Sequence, residues 1–330
     1  MDIDYLLTLQ GLRLSLGRGV ETLVVMYSES CMYVGLAACA IVYWCVHKRT
    51  GQFSLLCFAF GNWLNQFVKN IACVYRPWVL DSRIMPAPGA LRGATGYSFP
   101  SGHTVTAGAT FGSLAWCARK KLPVVSIVLV IAVLLVAFSR NYLSVHTPQD
   151  VLVALAEIAV IVVLGSHLYL RYAAHCEETG KNHDGVILIA VLLMSAACLA
   201  VIELKPYPMD FSDGALLVNP EVMKRDCFEG VGVIAGMFLG WYCERRWVKF
   251  DVDAGLSVAE RIARGLIGLV IVSVLFFGFD MAVKALFDPN IAKLTSRLVM
   301  CFAVMFLVPL TFKPLHKAFA KHKRANNSLV

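Results

Sequence analysis

Three short blocks hold the residues best able to do chemistry: Lys69-x6-Arg76-Pro77, Pro100-Ser101-Gly102-His103, and Ser139-Arg140-x5-His146-x3-Asp150. Phosphoryl transfer asks a protein mainly for positioning and for positive charge around the equatorial oxygens. Lys69, Arg76 and Arg140 supply three cations, and the two guanidinium forks match phosphate geometry. Ser101 and Gly102 stand where a helix is expected to begin, and unpaired backbone N–H groups at such an end favour an anion. Glycine there lets the backbone come close to it. Two histidines, His103 and His146, remain for the two roles that a metal-free hydrolysis needs, a nucleophile and a general acid. No Walker lysine loop, carboxylate cluster or H-x-x-x-H pair accompanies them, so no metal or other cofactor is expected.

Plainer roles compete for some of these residues. Thr147-Pro148-Gln149-Asp150 reads as a helix start, with threonine as N-cap, proline at N1 and an acid at N3. Asp150 is therefore expected both to cap that helix and to serve His146. Ser101 suits an ordinary N-cap, and Lys69 or Arg76 alone would pass for interfacial snorkelling residues. Their company in matching blocks favours phosphate binding. Ser139, Pro77 and Pro100 carry less weight, Ser139 because serine bonds locally more often than it reacts. The other six of eight histidines fall near the expected cytoplasmic ends and are read as interface residues. Asp280 and Lys284, four apart in an apolar run, are expected to pair with each other, and Glu157 stays open.

The elements that hold these blocks must be membrane helices. Of the 330 residues, 58% are hydrophobic and only 16% charged, against about 25% charged in a soluble domain. Nine apolar stretches are long enough to span, near 29–47, 52–75, 103–119, 122–139, 150–171, 185–203, 229–244, 264–287 and 295–313. The net charge of +8 sits in short clusters between them, a positive-inside pattern rather than a nucleic-acid stripe. With nine spans, all the basic connections fall on one side, the expected cytoplasm, with the C-terminus. All three blocks then fall at the extracytoplasmic face. Residues 1–27 interleave leucines with Gln10, Arg13 and Arg18, which suits a helix lying in the interface. The eleven cysteines form no C-x-x-C and read as small buried hydrophobes, and no cleavable signal is evident.

The three blocks resemble the signature of the type 2 phosphatidic acid phosphatase superfamily, K-x6-R-P, P-S-G-H and S-R-x5-H-x3-D, complete and in order. The matching core covers roughly residues 50–171, extended by family habit to six spans. The resemblance implies that His146 is the nucleophile, forming a phosphohistidine, that His103 protonates the leaving oxygen, and that Asp150 orients the His146 ring. Together with the apolar stretches, it gives an expected all-α polytopic membrane protein with an interfacial segment 1–27, a six-span core 28–205 and a three-span extension 206–330. The expected substrate is a lipid phosphate monoester such as phosphatidic acid or a sphingoid-base phosphate, met at the bilayer. Alternatives are a polyprenyl pyrophosphate, transfer of the phosphoryl group to an acceptor other than water, and a lipid transporter or binding protein with an idle site. Short loops favour a bacterial plasma membrane, and homo-oligomerisation is left open. Loops 78–99 and 204–228 lie on the expected catalytic side and are candidates to cover the pocket.

Overall fold

The apolar stretches become helices because a backbone inside hydrocarbon must satisfy its own hydrogen bonds. The structure is a computed structural model, and it describes residues 2–327 except 213, 253 and 254, with no side chains described beyond 321. The chain runs through α1 (Asp2–Ile41), α2 (Lys48–Ala72), α3 (Gly102–Ala107, running on to Ala118), α4 (Pro123–Tyr142), α5 (Pro148–Thr179) and α6 (Asp184–Leu204). It continues through α7 (Pro220–Cys243), α8 (Val258–Val274, running on to Leu286), α9 (Pro289–Phe302, running on to Leu310) and α10 (Phe312–Asn327). A two-residue hairpin, Phe211–Ser212 against Ala215–Leu216, is the strand content among the described residues. The protein is therefore an all-α polytopic membrane protein.

Six of these helical stretches are long and apolar enough to cross a membrane: Asp2–Val46, Pro123–Tyr142, Pro148–Thr179, Asp184–Leu204, Val258–Leu286 and Pro289–Lys321. The other three stretches expected to span, in α2, α3 and α7, are less apolar for a physical reason. They are interior helices, and their polar side chains face protein. Gln52, Ser54, Asn65, Lys69 and Asn70 of α2 are buried, as are Thr104, Thr106, Thr110 and Ser113 of α3. In α7, Gly232 and Gly236 bring its backbone against α9, where an added Cβ would stand 2.3 Å from the carbonyl oxygens of Leu294 and Leu298. Such small-residue stripes let membrane helices pack closely. Asp280 pairs with Lys284, at 2.5 Å, as their spacing predicted.

α1 breaks once, at Gly17, whose φ of 80° is open to glycine at little cost. Before the break, Leu12, Leu14 and Leu16 point outward while Gln10 and Arg13 are buried. Gln10 donates to the Arg83 carbonyl (3.1 Å) and accepts from the Met85 N–H (2.6 Å), and Arg13 donates to the Met85 carbonyl. The first helical segment thus clamps the loop that joins α2 to α3. After Gly17 the helix continues unbroken into the first span.

The two ends of the bundle differ in character. At one end Lys48 reaches Glu244 (2.7 Å), Arg245 reaches Asp184 (2.9 Å) and His316 meets Glu260 (3.1 Å), so most of the basic connections gather there. At the other end lie the close of α2, the starts of α3 and α5, and the segment 205–219. That segment is tied down over α2, where Lys205 donates to the Asn70 carbonyl (2.6 Å) and Tyr207 to the Asn70 side chain (2.7 Å).

Candidate active site

The site forms where three chain segments meet around His146. The turn between α4 and α5 carries it: Val145 and His146 donate back to the Arg140 carbonyl, and Asn141 Nδ2 donates to the His146 carbonyl at 2.9 Å. Thr147 caps α5 with a full capping box, as its spacing predicted. Its own N–H donates to Asp150 Oδ2 at 2.8 Å, and the same oxygen accepts from Ser98 Oγ and lies 3.3 Å from His146 Nδ1. Asp150 therefore does cap the helix and does face His146. Because Nδ1 looks at a carboxylate, the ring is set with its lone pair on Nε2.

His146 Nε2 lies 2.9 Å from Arg76 Nη1, so it accepts from that guanidinium. Arg76 is itself fixed by the carbonyls of Gly96 (3.1 Å), Thr95 (3.0 Å) and Val145 (2.9 Å). Arg140, fully buried, donates from Nη1 to Ser28 Oγ at 2.9 Å, while its Nε and Nη2 are buried with no hydrogen-bond partner. Two unpaired guanidinium donors in a closed site are costly unless an acceptor is brought to them. Lys69 reaches the start of α3, its Nζ 3.9 Å from where a Cβ on Gly102 would stand. Burial and the charges of Arg76, Arg140, Lys69 and His103 hold the His146 imidazole well below its usual 6.5. His146 is thus a neutral base in a cationic cup.

The block opening α3 is arranged differently from a simple cap. Ser101 makes no side-chain cap bond; its hydroxyl accepts from Thr104 (3.0 Å) and its N–H donates to the Asp150 carbonyl (3.0 Å). The backbone of Gly102 and His103 therefore opens the helix without a side-chain cap from Ser101. Asn65 Nδ2 holds the Pro100 carbonyl (3.2 Å), and Pro77 opens a short helix directly behind Arg76. Ser139 donates to Ser28 Oγ (3.1 Å), the same hydroxyl that Arg140 Nη1 reaches.

Several residues at the site lie outside the three blocks. Glu29, in α1, places Oε1 3.0 Å from His103 Nε2 and 3.5 Å from Arg140 Nη1. Ser28 holds Arg140 and Ser98 holds Asp150, while Asn141, at an unspecified position inside the third block, holds the histidine turn. Glu29 had a sequence signal, being an acid alone in an apolar run. The three neutral residues had none. Glu157 lies seven residues beyond Asp150 on the same face of α5, with a buried, unpartnered Oε1. The loop 78–99 buries Tyr97 against Met223 and leaves Met85 and Leu91 exposed.

With that geometry in place, the comparisons with known proteins are decisive. Residues 53–175 match the model of the PAP2 superfamily, and residues 228–321 match a second model, PAP2 superfamily phosphatase, transmembrane extension. The chain belongs to the PAP2 superfamily. It is a membrane phosphatase, and its last spans are the extension that the second model describes. No curated protein and no solved structure matches the chain. The first PAP2 match contains all three blocks, from Lys69 to Asp150, whereas Ser28 and Glu29 precede it.

Proposed function

We propose that this PAP2 protein hydrolyses a lipid phosphate monoester through a phosphohistidine on His146, without a metal, at the extracytoplasmic face. The observation that carries the reading is the pair of unpartnered Arg140 donors beside a neutral, carboxylate-backed histidine. A phosphate dianion supplies the acceptors they lack, and Arg76, Lys69 and the start of α3 complete its cradle.

The chemistry follows in two steps. His146 Nε2 turns its lone pair from Arg76 to phosphorus, the guanidinium taking a phosphoryl oxygen instead. The P–N bond forms as the P–O bond to the lipid breaks, and His103 gives its proton to the departing oxygen. Asp150 accepts from Nδ1–H and stabilises the charge that grows on the ring. His103, now a base, takes a proton from water as the water oxygen attacks phosphorus. The P–N bond breaks and inorganic phosphate leaves. Glu29 accepts from His103 and favours its protonated form for the first step.

The extracytoplasmic placement rests on charge: the catalytic end is opposite the end where the basic connections gather. A lipid substrate suits a site whose His103 and Glu29 also line a mainly apolar cavity.

The test is release of inorganic phosphate from phosphatidic acid, a sphingoid-base phosphate and a polyprenyl pyrophosphate in mixed micelles containing EDTA and no added acceptor. Release from a monoester supports the reading. Dependence on a divalent ion, preference for the pyrophosphate, or need for an organic acceptor would each replace part of it.

A further inference from the structure

Beside the catalytic end, a cavity of about 800 Å³ opens between α1 and the C-terminal extension. At one end its lining includes Glu29, Gly93 and His103, which adjoin one another, so it borders the residue proposed to serve the leaving oxygen. From there it follows one face of α1 through Met32, Leu36, Ala40 and Trp44, spaced three to four apart as a helical stripe. Leu269 and Phe276 of α8 form the facing wall, and Met237, Met300 and Val304 of α7 and α9 the back. Among the charged lining residues, Glu229 and Arg297 are already paired, at 2.5 Å. The remainder is mainly apolar, with Asn62, Thr106 and Ser273 as its polar points.

We infer that this chamber holds the hydrocarbon tail of the substrate, a single long chain, and that the C-terminal extension exists to build it. The inference rests on the phosphatase reading above. In an in-line displacement the leaving group departs opposite the nucleophile. With His146 on one side of phosphorus, the lipid oxygen lies on the His103 side, which the chamber borders. A tail attached to that oxygen has a continuous apolar path, and a hydrocarbon tail is what an apolar path of this shape accepts. Its length is informative. Fifteen residues separate Glu29 from Trp44, about 22 Å of helix at 1.5 Å per residue. Half of a bilayer's hydrocarbon core is about 15 Å. The groove is therefore deeper than one leaflet, and it suits one long chain over a pair of ordinary acyl chains.

Two sets of measurements test this. In the first, kcat/KM is measured for a series of single-chain alkyl phosphates in detergent, with wild type and with Ala37→Phe and Ser273→Trp, which narrow the chamber far from the phosphate cradle. The wild type should gain with each added methylene until the chain is longer than one leaflet. In either variant the ratio of long-chain to short-chain kcat/KM should fall by at least about tenfold, the worth of two or three methylenes excluded from apolar surroundings. An unchanged ratio in both variants would overturn the inference. The second set uses the unaltered chain and so does not depend on the variants folding. A long-chain alkyl phosphonate with a diazirine at its tail end should label α1, α8 or α9 on illumination, in competition with substrate. Labelling confined to the outward faces of α4–α6 would overturn the inference. If the wild type hydrolysed neither long nor short esters, the phosphatase reading itself would fall, and the tail site with it.

Discussion

Glu29 Oε1 lies 3.0 Å from His103 Nε2, a hydrogen-bond contact between the first span and the start of the third. A carboxylate in that place accepts from the ring and stabilises its protonated form, which is the form a general acid needs. Glu29→Gln should therefore lower kcat by about 10–100-fold for an alkyl phosphate, within the range that general acids contribute. The loss should be much smaller for p-nitrophenyl phosphate, whose leaving group departs without a proton. His103→Ala should show the same dependence on leaving group. Equal losses on both substrates would make Glu29 a structural support only.

Arg140 is expected to act through its fork. Nη1 is held by Ser28, leaving Nε and Nη2 for phosphate. Arg140→Lys keeps the charge but removes the paired donors, so phosphate and vanadate should inhibit about 10–100-fold more weakly, the worth of a hydrogen bond to a charged group. Ser28→Ala should weaken inhibition by less than Arg140→Lys. An unaltered inhibition constant in Arg140→Lys would place the anion elsewhere.

The acid side of the pH profile should belong to the substrate. His146 is held well below 6.5 by burial and by four neighbouring cations or rings, so its nucleophilic neutral form survives as pH falls through that value. A phosphate monoester dianion takes up a proton at about pH 6, its second pKa. The acid limb of kcat/KM should accordingly move when the ester is exchanged for one with a different second pKa. A limb fixed near 6.5 for both esters would mean that His146 titrates as an ordinary histidine.

What the sequence showed and what it hid divide along a physical line. The signature blocks and the capping box are local, their spacings fixed by one turn of helix or one tight loop, so Lys69, Arg76, Arg140, His146 and Asp150 could be read directly. The nine helical stretches were legible too, yet hydropathy alone picks out six. Interior helices such as α2 and α7 trade apolar residues for polar contacts and close glycine packing, and so look less like membrane spans. Ser28 and Ser98 reach Arg140 and Asp150 only through the tertiary fold, across sequence gaps no spacing rule covers, and Asn141 stands at an unspecified position inside the third block. Gln10 and Arg13 read as polar residues interleaved with leucines in an interfacial helix. The fold instead buries them against the loop at Arg83 and Met85, because that loop's carbonyls need donors.

The most direct test of the account is to trap the intermediate. A slowly hydrolysed ³²P-labelled lipid phosphate is mixed with the protein and quenched in alkali, where phosphohistidine persists, and the labelled peptide is identified by mass spectrometry. The account predicts label on His146, absent from a His146→Ala variant that still inserts and folds but no longer releases phosphate. Label on another residue, or substantial turnover by His146→Ala, would contradict it.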